Sequence, residues 1–433
     1  MDEKEYLQTL GEQIVNPHAR ASVLAEIQDH IEEQAQDYRA SGMSEAVAMQ
    51  EAVRQMGDPV STGEALNQVH RPKFPIALFG LAVVLTVLGI AMQYLVYTHL
   101  TPDPAILSDT YLQRTILYNA IGLGLLLLCI FGNYMYLAKG TWILLAIFLL
   151  GLLPPWFFGF YSRQYTLCYY LALVYPLVYA LLLYRLRDKG AKAIWFLHGL
   201  TLLFLVRMLF GTIITWSTVL AAGCLTLLLL CLAIHRGILT GSSKRTLWLL
   251  TVLPYVAAAA CFVILFFQNS YMRDRLTEFL KGSGYVQQML ALEQQQMLAF
   301  GGGTISSYVD TESLASTYVL HSIFLWFGIV SGILVIVALA VLVLRSLHYA
   351  LHQSNRLALL AGTAASGILL FELLHFVLTN LGCSPVYTAS VPFLSYGFAN
   401  SVFNSLLVGI TLGVIRNQNV LSETTASLRG LRA

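Results

Sequence analysis

Glu372 and His375 stand three residues apart within an apolar run, which places them on one face of a helix. Ionisable side chains inside such a run are costly and face a cavity or a partner. A hydrogen-bonded Glu–His pair lining a cavity and a structural tie between helices fit this pattern equally. A zinc site would need more ligands than the neighbouring sequence offers, so no metal is expected there. The other concentration of chemistry is the stretch 269–317, which holds Arg273, Asp274, Arg275, Glu278, Lys281, Glu293, Asp310 and Glu312. It also contains Gly301-Gly302-Gly303 and an apolar-polar segment, Tyr285 to Phe300, that reads as an amphipathic helix at an interface. Long ordered loops are usually functional, so this stretch is the first place to look for a reaction. His30 beside Glu32 and Glu33 reads as a solvated helix face and is assigned no chemistry. The six cysteines (129, 168, 224, 231, 261, 383) show neither zinc nor redox spacing and read as small buried hydrophobes.

The elements around these residues are dictated by composition. Of 433 residues, 57% are hydrophobic and 11% charged, with a mean hydropathy of +0.68; a soluble chain carries about 25% charge. Apolar runs of about 20 residues, enough to cross a bilayer, cover 74–98, 115–138, 141–160, 165–184, 191–208, 211–235, 246–268, 318–344, 357–381 and 397–416. The fold class is therefore all-α: a polytopic membrane protein of about ten transmembrane helices, with a small N-terminal three-helix soluble domain. The net charge of +2 and the acids gathered in 1–72 argue against a nucleic-acid binder. With 1–73 charged and amphipathic, no cleavable signal peptide is expected.

Loop charge predicts the orientation. Lys139, Arg185, Arg187, Lys189, Lys192, Arg236, Lys244, Arg245, Arg345 and Arg356 fall in loops on the side of the N-terminus. Short loops on the opposite side carry little beyond Arg114, Arg163 and Arg207. The positive-inside rule then places both termini in the cytoplasm and loop 269–317 outside. Tyr and Trp residues near the span ends, such as Tyr94, Trp142 and Trp326, read mostly as an aromatic belt.

Residues 1–72 read as three helices: Asp2 to Ile14, about Arg20 to Ala40, and Ser44 to Met56, with Gly57-Asp58-Pro59 as the exit. The string LAEIQDHIEEQAQDYRASGMSEAVAMQEAVRQMGDP resembles the permease-prefix or HAAS-type helical domain. That resemblance implies an interaction or signalling module. Domain boundaries are expected at 1–72 for this cytoplasmic head and 73–433 for the membrane domain with its large extracellular loop.

Near the C-terminus, LGCSPVYTASVPFLSYGFANSVFNSLLVGITLGVIRN is similar to the signature of the SEDS family (shape, elongation, division and sporulation; the RodA and FtsW type). Pro385-Val386 and Pro392-Phe393-Leu394-Ser395-Tyr396-Gly397 match the family's L-P-V-T-G-I-P-L-P-F-L-S-Y-G outright. YMRDRLTEFL, GSGY and QQMLAFGGG resemble pieces of the family's large outer loop, and Asn133-Tyr134 falls near its second-helix Asp-Tyr. The resemblance covers about 74–416.

The resemblance implies polymerisation of lipid II into glycan strands at the outer membrane face, beside a class B penicillin-binding protein or another wall-synthesis protein, in the plasma membrane of a bacterium. In that reaction a sugar 4-hydroxyl loses its proton to a carboxylate base and displaces undecaprenyl pyrophosphate. No cofactor is expected, save a divalent cation if the chain is active. Substrate-binding positions are then Arg273 and Arg275, by pairing with pyrophosphate or a loop carboxylate (interfacial snorkelling is the alternative), together with Glu372, where the family has Gln, His375, Ser395 and Tyr396. Ser395-Tyr396-Gly397 is expected to shape a re-entrant turn into the last helix. The family's catalytic Asp, in H-(T/N)-D-F-I-F-A-x-x-x-E-E-L-G, falls on Thr317 when the motif's last Gly is set on Gly328, and its Glu-Glu falls on Leu325 and Trp326. The nearest acids are Asp310 and Glu312, which become the candidate bases. The family's fourth-helix Q-P-S-E is absent, and the Asp of its fifth-helix P-D-L-G-T reads Leu209. Two alternatives stand beside an active enzyme: a catalytically degenerate scaffold or regulator, and a transporter of lipid-linked substrates.

Overall fold

The computed structural model describes residues 1–100, 104–153, 164–209, 216–303, 311–385 and 390–418. Among them every regular element is a helix. The chain divides into two compact units, the first built mainly from Met1–Pro75 and the second from Ile76–His352 with Leu357–Gly413.

The head contains the three expected helices, α1 (Glu3–Gln13), α2 (Pro17–Ala40) and α3 (Glu45–Gln55), and a fourth, α4 (Pro59–Val69). The Gly57-Asp58-Pro59 exit is also an entrance, which corrects the three-helix reading. Asp58 Oδ2 accepts the Ser61 backbone N–H at 2.8 Å, and Pro59 at the first helical position gives up no hydrogen bond. The same N–H holds the Asp58 carboxyl below its usual value of 3.8. Tyr6, Leu10 and Ile14 of the first segment pack with Val23, Ile31, Ala35, Ala52 and Val53 in a core of the head's own. The Tyr6 hydroxyl donates to the Met56 carbonyl at 3.1 Å, tying α1 to the end of α3.

The second unit holds α5 (Ile76–Leu100), α6 (Pro104–Phe131), α7 (Met135–Lys139), α8 (Thr141–Gly151), α9 (Gln164–Arg185), α10 (Ala191–Leu209), α11 (Trp216–His235) and α12 (Lys244–Gln268). After it come α13 (Ser270–Leu280), α14 (Tyr285–Gln294), α15 (Thr311–Ser316), α16 (Val319–Phe327), α17 (Ile329–Leu351), α18 (Arg356–Asn380) and α19 (Phe398–Arg416). Nine described helices are long and apolar enough to cross a membrane: α5, α6, α9, α10, α11, α12, α17, α18 and α19. The third expected span, 141–160, is represented by the shorter apolar α8; residues 154–160 lie outside the described set. Helices α9, α18 and α19 are the most buried spans and α12 the least.

The expected eighth span, 318–344, is two helices. At Gly328 the backbone takes φ 91°, which only glycine adopts without strain, and the chain breaks between α16 and α17. The Phe324 ring then occupies the space beside Gly332 in the first turn of α17. The glycine run that ends the preceding segment lies along this break: Gly303 donates to the Leu325 carbonyl at 2.9 Å, and Ile329 donates to the Leu298 carbonyl at 2.9 Å. Residues 319–325, all of α16 but its last two positions, are buried, so that apolar sequence is core. The amphipathic helix expected from Tyr285 to Phe300 is confined to α14, which ends at Gln294.

Candidate functional site

The segment between α18 and α19 returns into the bundle as a turn over residues 390–397, and the polar side chains of the site converge on it. Two residues of α5, one turn apart, receive it. Gly89 has no side chain, and a Cβ there would collide with the Phe393 carbonyl oxygen. Phe393 sits at φ 69°, unusual for a residue other than glycine. Gln93 Nε2 donates to the carbonyls of Leu394 at 2.7 Å and Ala315 at 3.3 Å. Its Oε1 accepts the Tyr111 hydroxyl of α6 at 3.1 Å. One buried amide therefore joins α5, α6, α15 and the turn, and it leaves none of these polar groups without a partner.

Both predicted residues of the signature take part. The Ser395 hydroxyl accepts the Val391 N–H at 3.0 Å, closing the turn on itself. Tyr396 donates its backbone N–H to the Ala315 carbonyl at 3.0 Å and stacks on Tyr111 with ring centroids 4.2 Å apart. Tyr97, Tyr111, Leu314, Ala315 and Tyr318 form the apolar cluster against which Tyr396 packs.

Glu372 reaches the same segment from α18. Its Oε1 accepts the Ser390 hydroxyl at 3.3 Å, and Ser390 lies 3.2 Å from the Tyr169 hydroxyl of α9. His375, its predicted companion, stacks on Phe371 with centroids 5.5 Å apart. The structure thus gathers Glu372, Ser395 and Tyr396 around one turn. Arg275 braces the start of the same connection, donating Nε–H to the Pro385 carbonyl at 2.9 Å and bonding the Tyr271 hydroxyl at 2.6 Å. Arg273 is exposed on α13. Asp310 lies outside the described residues, as does the side chain of Glu312, whose backbone is in α15.

Thr317 stands at the junction of α15 and α16, and its carbonyl accepts Asn380 Nδ2 at 2.9 Å. Asn380 Oδ1 in turn accepts the His321 N–H at 2.9 Å. The His321 ring meets the Glu293 carboxylate at 2.7 Å, with the two side chains 0% and 3% exposed. This buried pair pins α14 to α16, so Glu293 is already engaged. Sequence reasoning passed over Gln93, Asn380, Asn400, Asn404 and the Glu293–His321 pair. The signal was available for some of them: Gln93 is an amide inside an apolar span, and Asn400 and Asn404 stand four apart in another. Among the described residues, no three His, Cys, Asp or Glu side chains come together as a metal site.

A further feature of the bundle is an apolar cleft of about 420 Å³ between α10, α11 and α12, lined by Leu205, Met208, Trp216, Pro254 and Phe262 among others.

Residues 5–61 match the HAAS family model. A sequence search of curated proteins finds no match. Among solved structures, one chain of a peptidoglycan synthase complex, studied for its coordination of polymerization and crosslinking, aligns over 80% of this chain and 98% of its own, at 18% identity and a TM-score of 0.54. The membrane bundle has that fold. A mutant of the rod shape determining protein RodA from Thermus thermophilus aligns over the same shares at 17% identity, with a TM-score of 0.47. The all-helical, polytopic fold expected from the sequence is the one found, and the HAAS match falls on α1 to α3 and the start of α4.

Proposed function

We propose that this multi-pass membrane protein acts in bacterial cell-wall synthesis, engaging an undecaprenyl-linked, lipid II-like substrate beside a partner such as a class B penicillin-binding protein. The observation that carries the proposal is the Pro392–Gly397 turn, seated on Gly89 and Gln93 in a bundle that shares the fold of a peptidoglycan synthase chain. In this reading both termini are cytoplasmic, loop 269–317 faces outward, and residues 1–72 engage a cytoplasmic partner. The apolar cleft of about 420 Å³ offers room for a stretch of prenyl chain. The attacking sugar hydroxyl gives its proton to Asp310 or Glu312, and Arg273 faces the pyrophosphate. If the chain polymerises, a bound divalent cation would supply charge neutralisation for the leaving pyrophosphate. Purified full-length protein, incubated with lipid II with and without a class B partner, tests this. Polymer that disappears with Asp310→Ala or Glu312→Ala supports the catalytic form.

A second reading, a non-polymerising scaffold or regulator, is favoured by two observations. Thr317 presents no carboxylate, and the nearby Glu293 is held by His321. It predicts substrate or partner binding without polymer, and loss of partner binding when residues 1–72 are deleted.

A further inference from the structure

Two connections of the bundle, α9 to α10 and α11 to α12, are joined into one surface. The Thr240 N–H donates to the Arg187 carbonyl at 2.9 Å, and the Ala191 N–H donates to Ser242 Oγ at 3.0 Å. Gly190 takes φ 52°, and a Cβ there would collide with Ser242 Oγ and the Thr240 carbonyl, so the junction admits only glycine. Helices α10 and α12 both begin at this junction. Further along, the His198 ring of α10 meets the Leu250 carbonyl of α12 at 2.8 Å. The two spans therefore run side by side from a fixed end.

Segments 185–192 and 236–245 bring seven cations to that end against one acid, Asp188. Arg187 is engaged by the Tyr184 carbonyl at 3.0 Å, and Arg236 by the Leu351 carbonyl at 3.1 Å. Lys189, Lys192, Lys244 and Arg245 are exposed, and among the described residues none of the four pairs with a carboxylate. About one turn into each helix stands an exposed indole: Trp195, 62% exposed on α10, and Trp248, 38% exposed on α12. Beyond them the outer faces are apolar, with Leu202 and Leu203 on α10 and Leu249 and Leu253 on α12 all exposed. Indoles at the end of apolar helices mark the headgroup level of a bilayer, which puts the cations at the depth of lipid phosphates. A charge bias alone sets orientation and asks for no fixed geometry; the glycine junction and the two indoles supply one.

We propose that this surface is a binding site for anionic phospholipid. Lys189, Lys192, Lys244 and Arg245 attract the headgroup phosphate, Trp195 and Trp248 pack beneath it, and the acyl chains lie along α10 and α12. Phospholipid fits this surface better than an acidic protein does. The cations continue directly into exposed apolar faces, and a lipid offers phosphate and hydrocarbon in the same order. The site uses no residue of the Pro392–Gly397 turn, so it stands or falls independently of polymerisation.

Full-length protein reconstituted into vesicles of phosphatidylcholine and phosphatidylglycerol provides the test. Each lipid is brominated in turn on its acyl chains, and tryptophan quenching is compared between wild type and Trp195→Phe/Trp248→Phe. The difference isolates the two indoles, and brominated phosphatidylglycerol should quench them preferentially. In Lys192→Gln/Lys244→Gln/Arg245→Gln the preference should fall by about fivefold for each cation that engages a headgroup. Lys192→Arg/Lys244→Arg/Arg245→Lys, which keeps the charges, should keep the preference, as should Arg114→Gln on α6. Equal quenching of the wild type by the two lipids would overturn the proposal and leave the surface to an acidic protein. A preference that survives loss of the three cations would also overturn it, as would an equal fall with Arg114→Gln, because the attraction would then be diffuse.

Discussion

Gln93 donates its Nε2 hydrogen to the Leu394 carbonyl at 2.7 Å, a contact that spans 301 positions of sequence. The same side chain serves Ala315 and Tyr111, so a single amide joins the first span to the turn before the last one. Gln93→Leu keeps the volume and removes every one of these bonds. Leaving buried carbonyls unpaired costs about 1–3 kcal/mol. The expected outcome is a lowered melting temperature in detergent, with Gln93→Glu, which removes the donating amide, also below wild type.

Close approach of backbones makes a second, steric prediction. A methyl group at Gly89 would meet the Phe393 carbonyl, whereas one at Gly80 would meet nothing within 4 Å. Gly89→Ala should cost about 1–3 kcal/mol through overpacking. Gly80→Ala should be neutral or stabilising by up to about 1 kcal/mol through helix propensity. Equal effects at the two sites, measured by thermal unfolding, would contradict the docking of the turn on α5.

The Glu293–His321 pair should behave as a latch on the long loop. Removing one member of a buried pair costs about 3–5 kcal/mol. Glu293→Ala is therefore expected to expose the segment around α14 to limited proteolysis. Glu278→Ala, at an exposed position of α13, should leave the digestion pattern unchanged.

In the head, the backbone N–H of Ser61 lowers the Asp58 carboxyl below 3.8. A lowered folded-state value means that the cap's contribution is present at neutral pH and fades as pH falls through and below 3.8. Amide exchange of α4 in the full chain should accelerate in acid. Asp58→Asn keeps a good N-cap and removes the charge, so its α4 protection should vary less with pH. An α4 whose exchange ignores pH in the wild type would rule out this cap as a titrating element.

How much of this was legible in advance follows from the range of each force. Crossing a bilayer demands about 20 apolar residues in succession, a local property, and the runs read from the sequence correspond to α5, α6, α9 to α12 and α17 to α19. Helix starts and stops in the head are equally local, and the one misreading there came from a signal with two meanings: Asp58-Pro59 ends one helix and caps the next. Gly328 was less readable. A glycine inside an apolar run is tolerated in a continuous span, and only the packing of Phe324 against Gly332 and the pairing with residues 298–303 turn it into a break.

The residues of the candidate site divide in the same way. Glu372, Ser395, Tyr396 and Arg275 drew attention by type and motif, because a charge within a span or an uncommon string is visible without coordinates. Their partners were not. Ser390 and the Pro385 carbonyl are unremarkable where they stand, and what makes them matter is tertiary pairing of buried polar groups, which no local pattern encodes. By itself, then, the sequence determined a helical membrane protein with a short helical segment ahead of it, read as three helices where the structure has four, since hydrophobic length and capping act within a few turns. The tertiary structure decided that the Pro392–Gly397 turn rests on Gly89 and Gln93, and that Glu372 accepts the Ser390 hydroxyl. Those outcomes depend on satisfying donors and acceptors that only the fold brings together, 301 positions apart for Gln93 and Leu394 and 18 for Glu372 and Ser390.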